Sequence, residues 1–327
     1  MKQVALGLDT SNYRTSLAVI SLDGEILFQS RELLPVARGE RGLRQSDAVY
    51  LHLKQLKAMD IPFRNALKDC QPVVVSASCA PRGRSDSYMP VFEAGETAGR
   101  MMASALQIPF VPSDHQHGHL RAALFQTSLE GCSQFLGLHL SGGTTDLLHI
   151  QGERVEPLGS SLDLHAGQLI DRIGVALGLD FPAGPALERL AEGGVSSGAL
   201  GCSMDRGDTC CHFSGAEARA LGWVQRAEKK PEDIAREIYD LLARTISRML
   251  IAGEKATGEK QALVCGGVAS SPLFRRMLQE RMRKTRSSLH LTFGAPELSG
   301  DNAVGIALIG LDYLKQKQER CTDPFPG

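Results

Sequence analysis

Two hairpins of the same shape, one opening each half of the chain, confine this sequence to few folds. Positions 1–7 and 15–20 read as strands around the polar turn Asp9-Thr10-Ser11-Asn12, and 135–140 and 146–150 as strands around Ser141-Gly142-Gly143-Thr144-Thr145. Helices and strands alternate after each. The first half reads as helix 46–59, strand 72–78, helix 93–106 and a short strand 108–111. The second reads as helices 169–177, 185–192 and 231–253, strand 262–265, then helices 273–282 and 303–314. Such internal repetition predicts a duplicated α/β domain, with lobes at 1–133 and 134–314. The Gly/Ser/Cys-rich stretch 193–215 reads as an irregular insertion, and the polar stretch 315–327 as a frayed tail. Ile234, Ile238, Leu241, Leu242, Ile246, Met249 and Leu250 form a helical stripe that reads as core.

The 327 residues exceed one comfortable core, and 43% apolar with 22% charged residues is ordinary for a globular protein. A net charge of -1 gives no global attraction to nucleic acid, so a polyanion would need a local basic patch. No apolar run reaches membrane-spanning length, and Asp9 interrupts the N-terminal apolar stretch, which argues against a signal peptide. The eight cysteines include no C-x-x-C pair, favouring reduced thiols and a cytoplasmic location over a disulfide frame or zinc ribbon.

Ser113-Asp114-His115-Gln116-His117-Gly118-His119 reads as a helix start with Ser113 as N-cap. His115 and His119, four apart, would lie on one helix face within reach of a single metal ion, while His117 points elsewhere. A surface helix can also carry two such histidines by chance. Asp301, in Gly300-Asp301-Asn302-Ala303, precedes an apolar helix. Alone it is a helix-start carboxylate; with two histidines it would complete an open site suited to iron(II).

Glycines at 142 and 143 would let backbone N–H groups approach an anion, although a plain hairpin turn uses glycine too. Gly266-Gly267 follows a short strand, and Ser271-Pro272 reads as N-cap and first helical residue, so the next helix would point its N-terminus at the turn. A purely structural joint has the same pattern.

The order of these motifs, from Gly7-Leu8-Asp9-Thr10-Ser11 to Gly300-Asp301-Asn302-Ala303, resembles the tRNA N6-adenosine threonylcarbamoyltransferase family (TsaD/Gcp, formerly O-sialoglycoprotein endopeptidase). The resemblance implies two duplicated lobes of the actin-like ATPase, sugar kinase and Hsp70 type, with a nucleotide cleft between them. It implies His115, His119 and Asp301 as ligands of one divalent metal, iron(II) favoured over zinc. It assigns Leu140, Ser141, Gly142, Gly143 and Thr144 to a loop for the nucleotide-bearing substrate, and Asp171 and Gly184 to further substrate contacts. Asp9, Gly267 and Ser271 join the expected nucleotide-binding set. Without the resemblance, Asp171 is a solvated helix aspartate and Gly184 a turn residue.

Departures from the family pattern mark a divergent paralogue. Ser271 stands where asparagine is usual, Thr144 where histidine is, and Glu217 where lysine is. Ala80-Pro81-Arg82-Gly83-Arg84-Ser85 replaces a glycine-rich loop, and Gly42-Leu43-Arg44-Gln45-Ser46-Asp47 also differs. The implied function is metal-dependent transfer of a threonylcarbamoyl or related acyl group from an adenylated donor, made from ATP, to an acceptor such as tRNA adenosine. Sibling subunits of a threonylcarbamoylation complex are the implied partners. If tRNA is the acceptor, Arg82, Arg84 and the run Arg275, Arg276, Arg281, Arg283, Lys284, Arg286 could meet phosphates, or that run is a solvated helix face. An ATP-dependent small-molecule kinase of the same superfamily and a non-catalytic partner subunit are the rival readings. A zinc peptidase is disfavoured because Gln116 stands where H-E-x-x-H needs glutamate.

Overall fold

The first hairpin forms from β1 (Lys2–Ser11) and β2 (Arg14–Ser21), with Asp9, Thr10 and Ser11 carried into the strand rather than the turn. In this computed structural model the described residues are 1–11, 14–35, 43–83, 87–152, 154–285, 287–300 and 303–322. Asn12, Gly42, Arg84, Ser85, Arg286, Asp301 and Asn302, all singled out from the sequence, lie outside them.

The chain divides into two units. One comprises residues up to Phe125 together with the C-terminal helix Val304–Thr322; the other is Gln126–Ser299. Two sequence expectations are corrected here. The boundary expected near 133 falls at 125, and the last helix belongs to the first unit, not the second. Of the expected tail, residues 315–322 are helical rather than frayed, since the helix runs on to Thr322 through good helix formers, and 323–327 lie outside the described residues.

In the first unit β3 (Ile26–Leu33) extends the hairpin, followed by α1 (Gln45–Ala58), α2 (Asp60–Ala66), β4 (Cys70–Ser78), α3 (Phe92–Leu106), β5 (Phe110–Ser113) and α4 (His115–Leu124). The sheet order is β3-β2-β1-β4-β5, antiparallel on the hairpin side and parallel on the other. β1 is buried on both faces from Val4 onward, as a central strand covered by helices must be. Val4, Leu6 and Leu8 pack with Val75 and Ala103. The C-terminal helix covers the opposite face at a distance only glycine permits: a Cβ on Gly7 would lie 2.3 Å from the Ala303 carbonyl oxygen. The same helix clasps α4, where a Cβ on Gly305 would lie 1.8 Å from the Gly118 oxygen. Arg121 adds an ion pair to Asp312 at 2.6 Å.

The second unit repeats the topology. It contains β6 (Gln134–Leu140), β7 (Thr145–Gln151), β8 (Arg154–Ser160), α5 (Ala166–Ala176), α6 (Gly184–Glu192), β9 (Ser203–Asp205), β10 (Cys210–His212), α7 (Ser214–Arg226), α8 (Pro231–Thr257), β11 (Gln261–Cys265), α9 (Pro272–Lys284) and β12 (His290–Phe293). Its five-stranded sheet runs β12-β11-β6-β7-β8, so both sheets place three meandering strands beside two parallel ones in the same sequence of roles. The duplication read from the hairpins is therefore present in the sheets. The small β9–β10 hairpin occupies the expected insertion. Every residue of the predicted α8 stripe is buried, packed with Leu136, Leu138 and Leu147.

Candidate functional site

In the first unit the site is built on α4. Its N-cap is Asp114, not Ser113: the Asp114 carboxylate accepts the His117 amide at 3.0 Å, while Ser113 is held in β5 by pairing with Ser78. The next orphan amides are also satisfied, since His115 N–H donates to the Ala80 carbonyl at 2.9 Å and Gln116 N–H to that of Pro81 at 3.1 Å. The divergent segment beginning at Ala80 thus caps the histidine helix. His117 turns to Asp114 and takes no part in the pair, as its spacing suggested.

His115 and His119 do meet. Their Nε2 atoms are 2.9 Å apart, with the rings at 76°. On the far side of its ring, His115 Nδ1 lies 3.0 Å from Asp9 Oδ2 and 3.1 Å from Oδ1. Asp9 is fully buried at the end of β1 and accepts a short hydrogen bond from the Ser78 hydroxyl. A carboxylate at Nδ1 fixes the proton there and turns the Nε2 lone pair outward, the arrangement that orients metal-ligating imidazoles. Two nitrogens each about 2.0–2.1 Å from one metal ion stand roughly 3 Å apart, so the pair fits a shared ion. Among the described residues no cluster of three or more His, Cys, Asp or Glu side chains is arranged to hold a metal. Asp301, the third expected ligand, lies outside them. Asp9, one of the expected nucleotide contacts, is engaged here by His115 and Ser78.

In the second unit the glycine turn joins β6 to β7. The Ser141 amide closes it on the Thr144 carbonyl at 2.8 Å, and the Ser141 carbonyl accepts the Gly167 amide of α5 at 3.1 Å. Leu140 has its side chain in the core, leaving only backbone to face a ligand. Gly142, Gly143 and Gly267 are exposed, have ordinary φ, and would place a Cβ in open space. Neither strain nor packing within the chain demands glycine at these three positions. The Gly142 and Gly267 amides make no hydrogen bond among the described residues. Gly266 is different: its φ of 99° and its approach to the Leu140 carbonyl make it a structural glycine.

Asp171 and Gly184 come together. The Asp171 carboxylate accepts the Ala183 amide at 2.8 Å at the start of α6, and burial raises its pKa against the Ala183 and Gly184 amides that lower it. The buried Tyr239 hydroxyl donates to the Gly184 carbonyl at 3.3 Å. Burial pushes that phenol well above its usual range, a nearby Glu188 charge adding to the shift and a hydrogen bond with Ser271 opposing it. Ser271 caps α9 as expected, accepting the Phe274 amide at 3.1 Å, but Glu188 takes the Leu273 amide at 2.8 Å. The α9 N-terminus therefore already holds a carboxylate from within the chain. Glu217 pairs with Arg172 at 3.1 Å.

Sequence reading missed Ser78, Tyr239 and Glu188. Tyr239 was detectable as a hydroxyl-bearing residue in an apolar stripe; the other two carry no local signal.

The family description tRNA N6-adenosine threonylcarbamoyltransferase (TsaD) matches residues 91–308. Among solved structures, the chain is similar to the activator of 2-hydroxyisocaproyl-CoA dehydratase from Clostridium difficile with bound ADPNP. That match has 16% identity and a TM-score of 0.55, covering 99% of this chain and 100% of that one. HypF of T. kodakarensis matches at 15% identity and TM-score 0.62 over 97% of this chain, which spans 48% of that protein. A ROK family glucokinase from Streptomyces griseus in complex with glucose and AMPPNP matches at 12% and 0.55, over 94% of this chain and 99% of that one. At these identities the structures establish an actin-like ATPase and sugar kinase fold. The family match spans about two thirds of the sequence, and the chain belongs to the tRNA N6-adenosine threonylcarbamoyltransferase (TsaD) family.

Proposed function

We propose that this protein is a metal-dependent transferase that moves a threonylcarbamoyl or related carbamoyl group from an adenylated donor to an acceptor such as tRNA adenosine. The observation that carries the reading is the His115–His119 pair, whose Nε2 atoms converge while Asp9 holds the opposite nitrogen of His115. A kinase using magnesium with ATP has no need of this arrangement, whereas an ion held by the pair could polarise a carbonyl or phosphate oxygen of an acyl-adenylate.

His115 and His119, with Asp301 as the third ligand, would hold the ion, iron(II) or zinc. When bound, it supplies Lewis-acid polarisation and a template for donor oxygens. The remaining work falls to the chain. Asp9 keeps the proton on His115 Nδ1, and Ser78 keeps Asp9 in place. The Gly142, Gly143 and Gly267 backbone is open to close approach by phosphate oxygens. Asp171 fixes the start of α6, so that Gly184 is presented to the ribose or acyl portion. Two of the structural relatives were solved with ADPNP or AMPPNP, in keeping with nucleotide use here. The protein is read as cytoplasmic, acting with sibling subunits of a threonylcarbamoylation complex. No described helix is long and apolar enough to cross a membrane.

The test is transfer of labelled threonine to tRNA with the donor-making enzyme supplied, alongside metal analysis of the purified protein. Transfer by the parent, and loss of both metal and transfer in His115→Ala, is expected. Metal-free parent protein that phosphorylates a sugar or acid instead would reassign it to the kinases.

A further inference from the structure

The basic run of α9 is split by the fold into two sets. Arg275 serves structure: it donates to the Ala269 and Gly294 carbonyls and stacks on Phe293. Arg276 pairs with Glu192. Arg281 and Lys284, one turn further on, line a cavity of about 430 Å³ that Arg236 of α8 enters from the other side. None of these three cations makes an ion pair or hydrogen bond among the described residues. Arg236 and Arg281 are half-buried, so their charges sit in a groove rather than at the tips of freely solvated side chains.

The rest of the lining is also ordered for a ligand. Ala243 and Met277 give the cavity an apolar lining, and Val195 adds an exposed apolar side chain from the loop. Asp240 is already neutralised by Arg244 at 2.9 Å. Glu280 is the one lining carboxylate with no ion-pair partner among the described residues. Three cations against that single free carboxylate leave a charge matched to a dianion. The loop is built in place: the fully buried Glu237 accepts the Ser197 amide at 2.7 Å, the Ser196 hydroxyl at 3.1 Å and Lys229 at 3.1 Å. Gly194 beneath it admits no side chain, since a Cβ would lie 2.0 Å from the Glu232 oxygen.

We propose that the groove between α8 and α9 binds a phosphorylated small molecule, its phosphate held by Arg236, Arg281 and Lys284 and its organic part against Ala243, Met277 and Val195. Arginine forks suit phosphate oxygens, and a pocket that combines apolar walls with a few convergent charges suits a small ligand better than an extended backbone. The site is separate from the glycine turns, so it would supply an effector or a second substrate.

The experiment is calorimetric titration of the full chain with glycerol 3-phosphate, inorganic phosphate and a mixed tRNA preparation, repeated on three variants. Saturable binding of glycerol 3-phosphate is expected, weakened at least tenfold in Arg281→Gln and unchanged in Gly143→Val. Glu280→Gln should bind more tightly, because it removes a repelling charge, an effect that damage to the fold would not give. No saturable binding of either phosphate, or equal affinity in Arg281→Gln, overturns the proposal. So does an Arg281-dependent affinity confined to tRNA, which would make the groove a nucleic-acid contact.

Discussion

Asp9 and His115, 106 positions apart, are joined by a carboxylate–imidazole hydrogen bond of 3.0 Å at the buried end of β1. The bond makes Asp9 a positioning residue for the imidazole pair. Asp9→Asn can still accept a hydrogen bond but loses the charge that holds the His115 Nδ1 proton and orients the ring. Metal affinity, measured by competition with a chelator, should fall about 10–100-fold. His119 should remain in place, so the variant keeps its fold. Unchanged affinity would show that the carboxylate does not tune the pair.

The clasp between Gly118 and Gly305 predicts a coupled loss. Gly305→Ala puts a methyl group into the Gly118 carbonyl and must move α4 away from the C-terminal helix. Urea denaturation should show a cost of about 1–3 kcal/mol. Metal affinity should fall with it, because His115 and His119 flank the same turn of α4. Stability lost without any change in metal binding would separate the clasp from the site.

Gly143 predicts the opposite pattern. Its Cβ would meet nothing and its φ is ordinary, so Gly143→Val should shift stability by no more than about 0.5 kcal/mol. If the turn receives phosphate oxygens, the branched side chain will obstruct them. ADP affinity by calorimetry should drop at least tenfold. Retained affinity would make the turn a structural hairpin.

Glu237 predicts an acid limb. Burial pushes its pKa up, but the Ser197 hydroxyl and amide, Lys229 and the Ala199 amide outweigh that and pull it to about 2. A carboxylate depressed below its ordinary 4.5 contributes stability that is present above that value and lost as pH falls toward 2. At about 1.36 kcal/mol per pH unit, this is roughly 3 kcal/mol. Glu237→Gln should be less stable at neutral pH and show a flatter decline between pH values of about 4.5 and 2, read from melting temperatures across that range.

Much of the architecture could be read from the residues. The two hairpins were visible because strands announce themselves by local alternation and by the polar residues of their turns, and His115 and His119 because helical spacing is itself local. What escaped depends on distance along the chain. Nothing near Asp9 says that its partner is an imidazole 106 positions away, and nothing near Ser78 says that it will hold Asp9. Asp114 displaced Ser113 as N-cap because strand pairing claimed the serine first. Glu188 reached the start of α9 from another helix, a contact that no window of sequence contains.

The C-terminal helix has a consequence for biosynthesis. The first sheet is made early, yet the helix covering one of its faces leaves the ribosome only after all of Gln126–Ser299 has been translated. The later unit can therefore finish folding while the earlier one still waits with β1 uncovered. Packing of the C-terminal helix on α4 is thus deferred until residues 304–322 have emerged, and a nascent chain stalled before them should hold His115 and His119 without that support.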